Sequence, residues 1–399
     1  MEYKIKKEAL KIIIIIFCIY PFFYSRRLLP FTEPIIKVLI AKDIKLRVRA
    51  DSSIPLNIQL PNLPKKIKGL TIKKINNKVM LLLDSNKDDD KSYEMKDNKS
   101  FIIKSSDKRG IWINTKRYPG KINIVFRDNK ILVINILGIE KYLNSVVGSE
   151  MPHKWPLEAL KAQAIASRTY ALKKKDNGLY DIDSTHTNQV YNGLESSTIK
   201  TRRAVKETRS LVITYKNRLI NALFHSSSGG MTENSEDVWS DPYPYLVTVK
   251  DFDQRNPKIK WNKEFSKSEL NKIFPIIGGI QKIQVLNITE TGRIKNLKIS
   301  GLYGEKVITG KEFRSKLGLR STLFRPMISK NFYDTKDLNN QTYMQNYPYL
   351  NISGLGAGHG VGMSQWGARY LAKKGYKANK ILKYFYKGVN IKPFIQNYK

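Results

Sequence analysis

The chain has 399 residues, of which 41% are hydrophobic and 26% charged. This excludes a fibrous or wholly disordered chain and leaves room for two packed domains, or one domain with a large insertion. Lys plus Arg number 71 against 34 Asp plus Glu, a net charge of +37 that attracts polyanions or simply coats a solvated surface. The cations are scattered, without a long basic run or interleaved aromatics, which argues against a nucleic-acid groove. The single cysteine, Cys18, excludes an internal disulfide and any Cys-based metal site in the folded body.

At the N-terminus, Lys4, Lys6, Lys7 and Lys11 lead into an apolar run from Ile12 to Tyr24. A basic flank before such a run is the pattern of an export signal. The run is short for a membrane-spanning helix, which needs about 20 residues. No Ala-x-Ala cleavage site is present, and Arg26-Arg27 follow at once, so an uncleaved anchor is the alternative. Residues 1–27 are therefore set apart as signal sequence or membrane anchor, which puts the rest of the chain outside the cytoplasm, at the cell envelope.

Residues 28–114 are expected to be β-rich. Ile44, Leu46 and Val48 alternate with Lys45, Arg47 and Arg49, the period of a half-buried strand. Residues 84–100 are polar and predict an exposed loop. Ile122, Ile124 and Phe126 alternate up to Asp128-Asn129, and Ile131 and Val133 follow, which predicts a hairpin.

The period then becomes helical. Ile139 to Val147 is short and amphipathic, Gly148 to Trp155 is expected as a break, and Pro156 opens a strong helix from Leu157 to Lys174. Alanines at 159, 162, 164, 166 and 171 suit a central helix packed on several sides. Leu157, Leu160, Ala164 and Ala171 share one stripe, and Arg168 falls within it. A core-facing guanidinium needs a partner. Either a buried ion pair holds it, or it lines a site. Residues 207–224 return to strands. A second unit over 241–345 contains a hairpin from Gln284 to Ile299 that turns at Thr291-Gly292. The closing segment 346–399 holds a glycine-rich loop and two helices, Ser364 to Lys374 and Ala378 to Tyr386.

Three motifs carry candidate chemistry. In Gly148-Ser149-Glu150-Met151-Pro152, a lone carboxylate sits beside Met151, Pro152 and Trp155, and apolar walls raise a carboxyl pKa toward that of a general acid. His225-Ser226-Ser227-Ser228-Gly229-Gly230 reads as a sugar-binding loop. It lacks the Gly-x-Ser-x-Gly elbow of a serine hydrolase. Gly354 to Gly367 has glycines at alternate positions. It fits neither Gly-x-Gly-x-x-Gly nor a P-loop, and reads either as a tight turn or as a loop bringing a polymer close to His359 and Gln365. His153, His186, His225 and His359 lack the close spacing of zinc motifs.

GSEMPHKWPLEALKAQAIASRTYAL (148–172), FHSSSGGMTENSEDVW (224–239) and GLGAGHGVGMSQWGARYLAKKGYKANKILKYFY (354–386) together resemble the signature of the stage II sporulation protein D/LytB-type family. TNQVYNG (187–193) and GKEFRSKLGLRS (310–321) are weaker echoes. The resemblance runs over roughly residues 115–392. It implies an enzyme, a lytic transglycosylase that cuts peptidoglycan glycan strands, best where stem peptides have been removed, with Glu150 as acid/base and Arg168 as a second catalytic residue. His225, Ser226, Ser227, Tyr191, His359 and Gln365 are the candidate sugar-binding residues. Other members named as amidase enhancers imply the alternative, a non-catalytic activator of a wall amidase. Some members bind zinc through Cys and His near the QVY segment. Here His186 stands there without cysteine, so no metal and no cofactor is expected. The expected partners are peptidoglycan glycan strands, a wall amidase, and the membrane through the N-terminal segment, with no nucleic acid.

The expected fold class is α+β, with β-rich segments around an Ala-rich central helix, a second inserted α/β unit, and a substrate groove between them. The expected divisions are 1–27, 28–114, 115–240 as the first part of a catalytic core, 241–345 as the insertion, and 346–399 as the core's last part.

Overall fold

The computed structural model describes residues 33–50, 54–60, 63–75, 78–84, 92–95, 99–176, 178–186, 188–239, 241–327, 341–343 and 349–395. The proposed leader, 1–27, lies outside them. The chain is α+β.

Two sheets share one core. The larger runs in the order Ile182–Asp183, Ile35–Asp43, Lys130–Gly138, Lys121–Arg127, Ser100–Lys104, Leu56–Gln59 and Lys66–Ile67. The other runs Lys116–Tyr118, Ile111–Ile113, Lys45–Arg49, Gly69–Ile75, Lys78–Leu83 and Ser92–Met95. Period-2 patterning explains their faces: Leu46 and Val48 are buried while Lys45 and Arg47 are exposed. Ile44, expected to join that face, is exposed because it sits at the bend between Ile35–Asp43 and Lys45–Arg49. The hairpin of Lys121–Arg127 and Lys130–Gly138 closes through Asp128 and Asn129, both at positive φ (52° and 59°), the two-residue turn that matches strand twist. The polar stretch 84–100 is not all loop. Ser92–Met95 pairs with Lys78–Leu83, because burying Met95 extends the core and Glu94 meets Lys78 at 3.0 Å on the exposed face.

Among the described residues the α-helices are α1 (Ile139–Glu150), α2 (Leu157–Lys174), α3 (Ile199–Glu207), α4 (Ser235–Val238), α5 (Lys267–Ile273), α6 (Gly310–Leu317), α7 (Gln365–Lys373) and α8 (Ala378–Phe385). Helix α1 continues past Gly148, where a break was expected, and ends on Glu150. Gly148 does not stop the helix. A Cβ there would strike the Ser196 carbonyl, so glycine lets the 194–197 turn pack against α1. Helix α2 packs against α1, α3, α7, α8 and the strand Leu211–Tyr215, and from Ala159 to Leu172 every residue but Lys161 is buried. Its alanines allow those close approaches. Glu158 in its first turn accepts the Ala378 N–H (2.9 Å), satisfying one open donor at the start of α8.

A separate core, from Trp261 to Ile352, includes Phe265, Leu297, Phe313 and Phe324. It is enclosed by the sheet Lys260–Ser266, Tyr349–Leu355 and Phe324–Met327, the sheet Glu305–Thr309, Ile294–Ser300, Lys282–Ile288 and Gln341–Tyr343, and helices α5 and α6. A buried ion pair joins this second core to the first. Glu233 meets the Arg293 guanidinium at 3.5 Å, and its carboxylate accepts from the hydroxyls of Thr289 (2.8 Å) and Thr291.

Candidate active-site cleft

A cavity of about 1110 Å³ is lined from both cores. It is larger than most small-molecule pockets, which run to about 300–1,000 Å³. Ser149, Glu150 and Tyr170 come from α1 and α2, Val190 from the following loop, and Phe224, His225 and Ser226 from a strand end. Ala357, Gly358, His359 and Gln365 come from the glycine-rich segment, and Arg314, Gly318 and Arg320 from the second unit.

Glu150 is half-buried at the last position of α1. Its Oε1 accepts the Val190 N–H at 2.8 Å and its Oε2 accepts from Gln365 Nε2 at 3.2 Å. Burial raises its pKa above the ordinary carboxylate range. The two hydrogen bonds and the nearby His186 offset this only in part. The negative end of the α1 dipole acts in the same direction as burial. The Val190 donor is itself fixed. Gln189 accepts from Tyr142 Oη of α1 (3.1 Å) and donates to the Ser167 carbonyl of α2 (3.2 Å).

The glycine-rich segment delivers the remaining wall. Met363–Ser364 pairs in parallel with Phe224–His225, and the Ser364 hydroxyl caps α7 by accepting the Gly367 N–H (3.1 Å), which puts Gln365 at the first helical position. His225 is buried, and its Nδ1 donates to the Val361 carbonyl (3.0 Å), leaving Nε2 a bare acceptor with no protein partner. Burial and the adjacent His359 hold its pKa well below the ordinary value, so it is neutral. His359 is pushed down to about 3 by burial and by Arg314 and Arg293. Its ring packs edge-on against Trp239 at 5.1 Å.

A family model described as stage II sporulation protein matches residues 127–215, and one described as a domain of unknown function matches 245–362. Stage II sporulation protein D of Bacillus subtilis is 33% identical over 274 residues, which span 63% of this chain and 74% of that protein. The chain belongs to the stage II sporulation protein D family. An uncharacterized protein of Brachyspira hyodysenteriae is 35% identical over 71% of this chain and 74% of its own length. The amidase enhancer of Bacillus subtilis is 31% identical over 62% of this chain and 40% of its own length.

Of the candidate residues that the sequence points to, Glu150, His225, Ser226, His359 and Gln365 line the cleft. Three do not. Arg168 is fully buried in α2, bonded through Nε and Nη2 to both Glu140 carboxylate oxygens (2.9 and 2.7 Å) and through Nη1 to the Leu211 carbonyl (3.0 Å). Glu140 lies in the first turn of α1 and Glu150 ends it, about 15 Å apart at 1.5 Å per residue. Arg168 therefore anchors the helix that carries the carboxyl and does not reach the cleft, because a core-facing guanidinium is stable only with its partner inside. Ser227 is buried, with its hydroxyl taken by Asn256 Nδ2 (3.0 Å). Tyr191 is buried, with its hydroxyl spent on Asn135 Oδ1 (2.8 Å). Neither is offered to a ligand.

The alternate glycines also serve another purpose. A methyl at Gly358 would meet His225 Cβ at 2.7 Å, and one at Gly360 would meet the Arg293 guanidinium at 2.5 Å. The glycines admit neighbouring protein rather than a polymer. Arg314, Arg320 and Trp239 line the cleft without having been singled out. The first two lie in the 310–321 echo, and Val190 lies in the 187–193 echo, where its donor is a backbone N–H that no side chain marks. The zinc that the resemblance implies for some members does not fit the residues present here. His186 is exposed, and the Asp183 carboxylate is engaged by the Thr185 N–H (2.9 Å) and Asn188 Nδ2 (2.5 Å). No cysteine is among the described residues.

Proposed function

We propose that the protein is a lytic transglycosylase that cuts peptidoglycan glycan strands during cell-wall remodelling, on the extracytoplasmic side of the membrane, with segment 1–27 as its export signal or anchor. The observation that carries this reading is the Glu150 carboxyl. It lies in a cleft large enough for a polysaccharide, keeps its proton above the ordinary carboxylate range, and is aimed by Val190 and Gln365.

Protonated Glu150 donates to the oxygen linking N-acetylmuramic acid to N-acetylglucosamine. The C1–O bond breaks and leaves an oxocarbenium-like centre. The resulting carboxylate takes the proton of the muramic 6-hydroxyl as that oxygen closes on C1, and a 1,6-anhydro end forms. One carboxyl performs both transfers, unlike the paired carboxylates of most glycosidases. The Ser226 hydroxyl supplies a polar contact to sugar, the rings of His225 and His359 line the wall beside it, with the His359 Nδ1 already accepting the Val361 N–H (3.1 Å), and Arg168 acts as a positioning residue through α1.

The test is digestion of glycan stripped of stem peptides by the wild type and by Glu150→Gln, with products read by mass spectrometry. Anhydro ends from the wild type alone are expected. Equal release from both removes Glu150 from its role. The similarity to the amidase enhancer favours a second reading, a non-catalytic activator of a wall amidase. That reading requires that the pure protein release nothing while raising amidase turnover.

A further inference from the structure

The 310–321 segment carries two arginines, Arg314 and Arg320, that the mechanism leaves unused. Helix α6 is capped by the Thr309 hydroxyl, which accepts the Glu312 N–H (3.0 Å), and stops at Gly318 in the left-handed region. Phe313 and Leu317 face the second core. This turns Arg314 into the cleft, and the loop beyond Gly318 brings Arg320 to the same wall. Arg314 spends Nε on the Leu319 carbonyl (3.2 Å) and Arg320 spends Nη1 on the Lys258 carbonyl (2.7 Å). Among the described residues neither has a carboxylate partner. Burial pulls the Arg314 pKa down with no acid to offset it. His225 and His359 beside them are neutral. Asp241, the other carboxylate lining this cleft, is exposed and pairs with neither arginine among the described residues.

Two half-buried guanidiniums with free donors and no counter-ion form an anion site, and the planar fork suits a carboxylate. On the glycan-cleaving reading, on which this inference rests, the substrate carries one such group on its sugars. The lactyl ether of muramic acid ends in a carboxylate when free, and in an uncharged amide when a stem peptide is attached. We infer that Arg314 and Arg320 form a subsite for the free lactyl carboxylate, through which the cleft selects glycan without stem peptides.

The experiment uses the full chain and three muramic-containing oligosaccharides of one length: lactyl groups free, capped as methylamides, or bearing stem peptides. Binding is measured by calorimetry and cleavage by kcat/KM. Preference for the free acid over the methylamide by about ten- to a hundredfold is expected, the worth of a charge-assisted pair. Arg314→Gln and Arg320→Gln should each lose that preference by lowering the free-acid value alone. Arg314→Lys should restore part of it, and thermal melts check that each variant is folded. Equal binding of free acid and methylamide by the wild type overturns the subsite. So does tight binding of the peptide-bearing strand, whose carboxylates lie on the peptide, and so does an equal loss on both substrates in the variants. A wild type that prefers the free acid but cleaves nothing upholds the subsite and refutes the transglycosylase reading.

Discussion

Replacing either member of the Arg168–Glu140 pair should lower stability unequally, and should leave the acid's titration in place. The Arg168 side chain is wholly buried, whereas that of Glu140 keeps 13% exposure. Glu140→Ala strands a guanidinium in the core, with only the Leu211 carbonyl left of the three bonds described above. Breaking a buried pair in this way costs about 3–5 kcal/mol. At about 2 °C per kcal/mol for a large domain, the melting temperature should fall by roughly 6–10 °C. Arg168→Met leaves a carboxylate that water can reach, so the loss should be smaller, about 1–3 kcal/mol. The double variant Glu140→Leu/Arg168→Met removes both charges and should recover much of the loss, since apolar replacement of a buried pair is often close to neutral. Thermal denaturation followed by circular dichroism gives the three shifts, and the pH–rate profile on stripped glycan gives the chemistry. The positioning role predicts an unmoved alkaline limb. An Arg168→Met enzyme with wild-type melting and turnover reduced more than about 100-fold would put Arg168 in the reaction itself, and the reasoning would fail.

Other outcomes follow from the same geometry. Because the proton on Glu150 is required, activity should persist above the ordinary carboxylate range and fall as pH rises through the elevated pKa; a limb at or below about pH 4.3 contradicts this. The native carboxyl holds its proton where the unfolded one has lost it, so wild-type stability should decline as pH rises from the unfolded pKa through the folded one. Glu150→Gln lacks that decline and should melt higher than the wild type at pH 8, with a smaller gap at pH 4; a constant gap refutes the assignment. Gln365→Leu removes a donor that favours the charged form, so the alkaline limb should move to higher pH. Gly360→Ala forces a side chain to φ 86° against the Arg293 guanidinium and should cost at least about 1–2 kcal/mol in a denaturant melt. An unchanged midpoint would show that the Glu233–Arg293 joint can shift freely.

Local pattern determined a good deal. Period-2 alternation marked the Lys45–Arg49 strand and the Lys121–Gly138 hairpin, alanine spacing marked α2, and three long motifs marked the family and its lone carboxyl. These signals are carried by neighbours in sequence, where side-chain period and turn chemistry act directly. Which motif residues face the cleft was decided only by tertiary packing. Arg168, Ser227 and Tyr191 share segments with lining residues, yet Glu140, Asn256 and Asn135 claim their polar groups from 28, 29 and 56 positions away. Gly148 reads as a breaker until the Ser196 carbonyl explains it, and the Val190 N–H that holds Glu150 has no side chain to betray it. A polar group is free for chemistry only if nothing distant satisfies it, and the distant partner is what a linear sequence does not display.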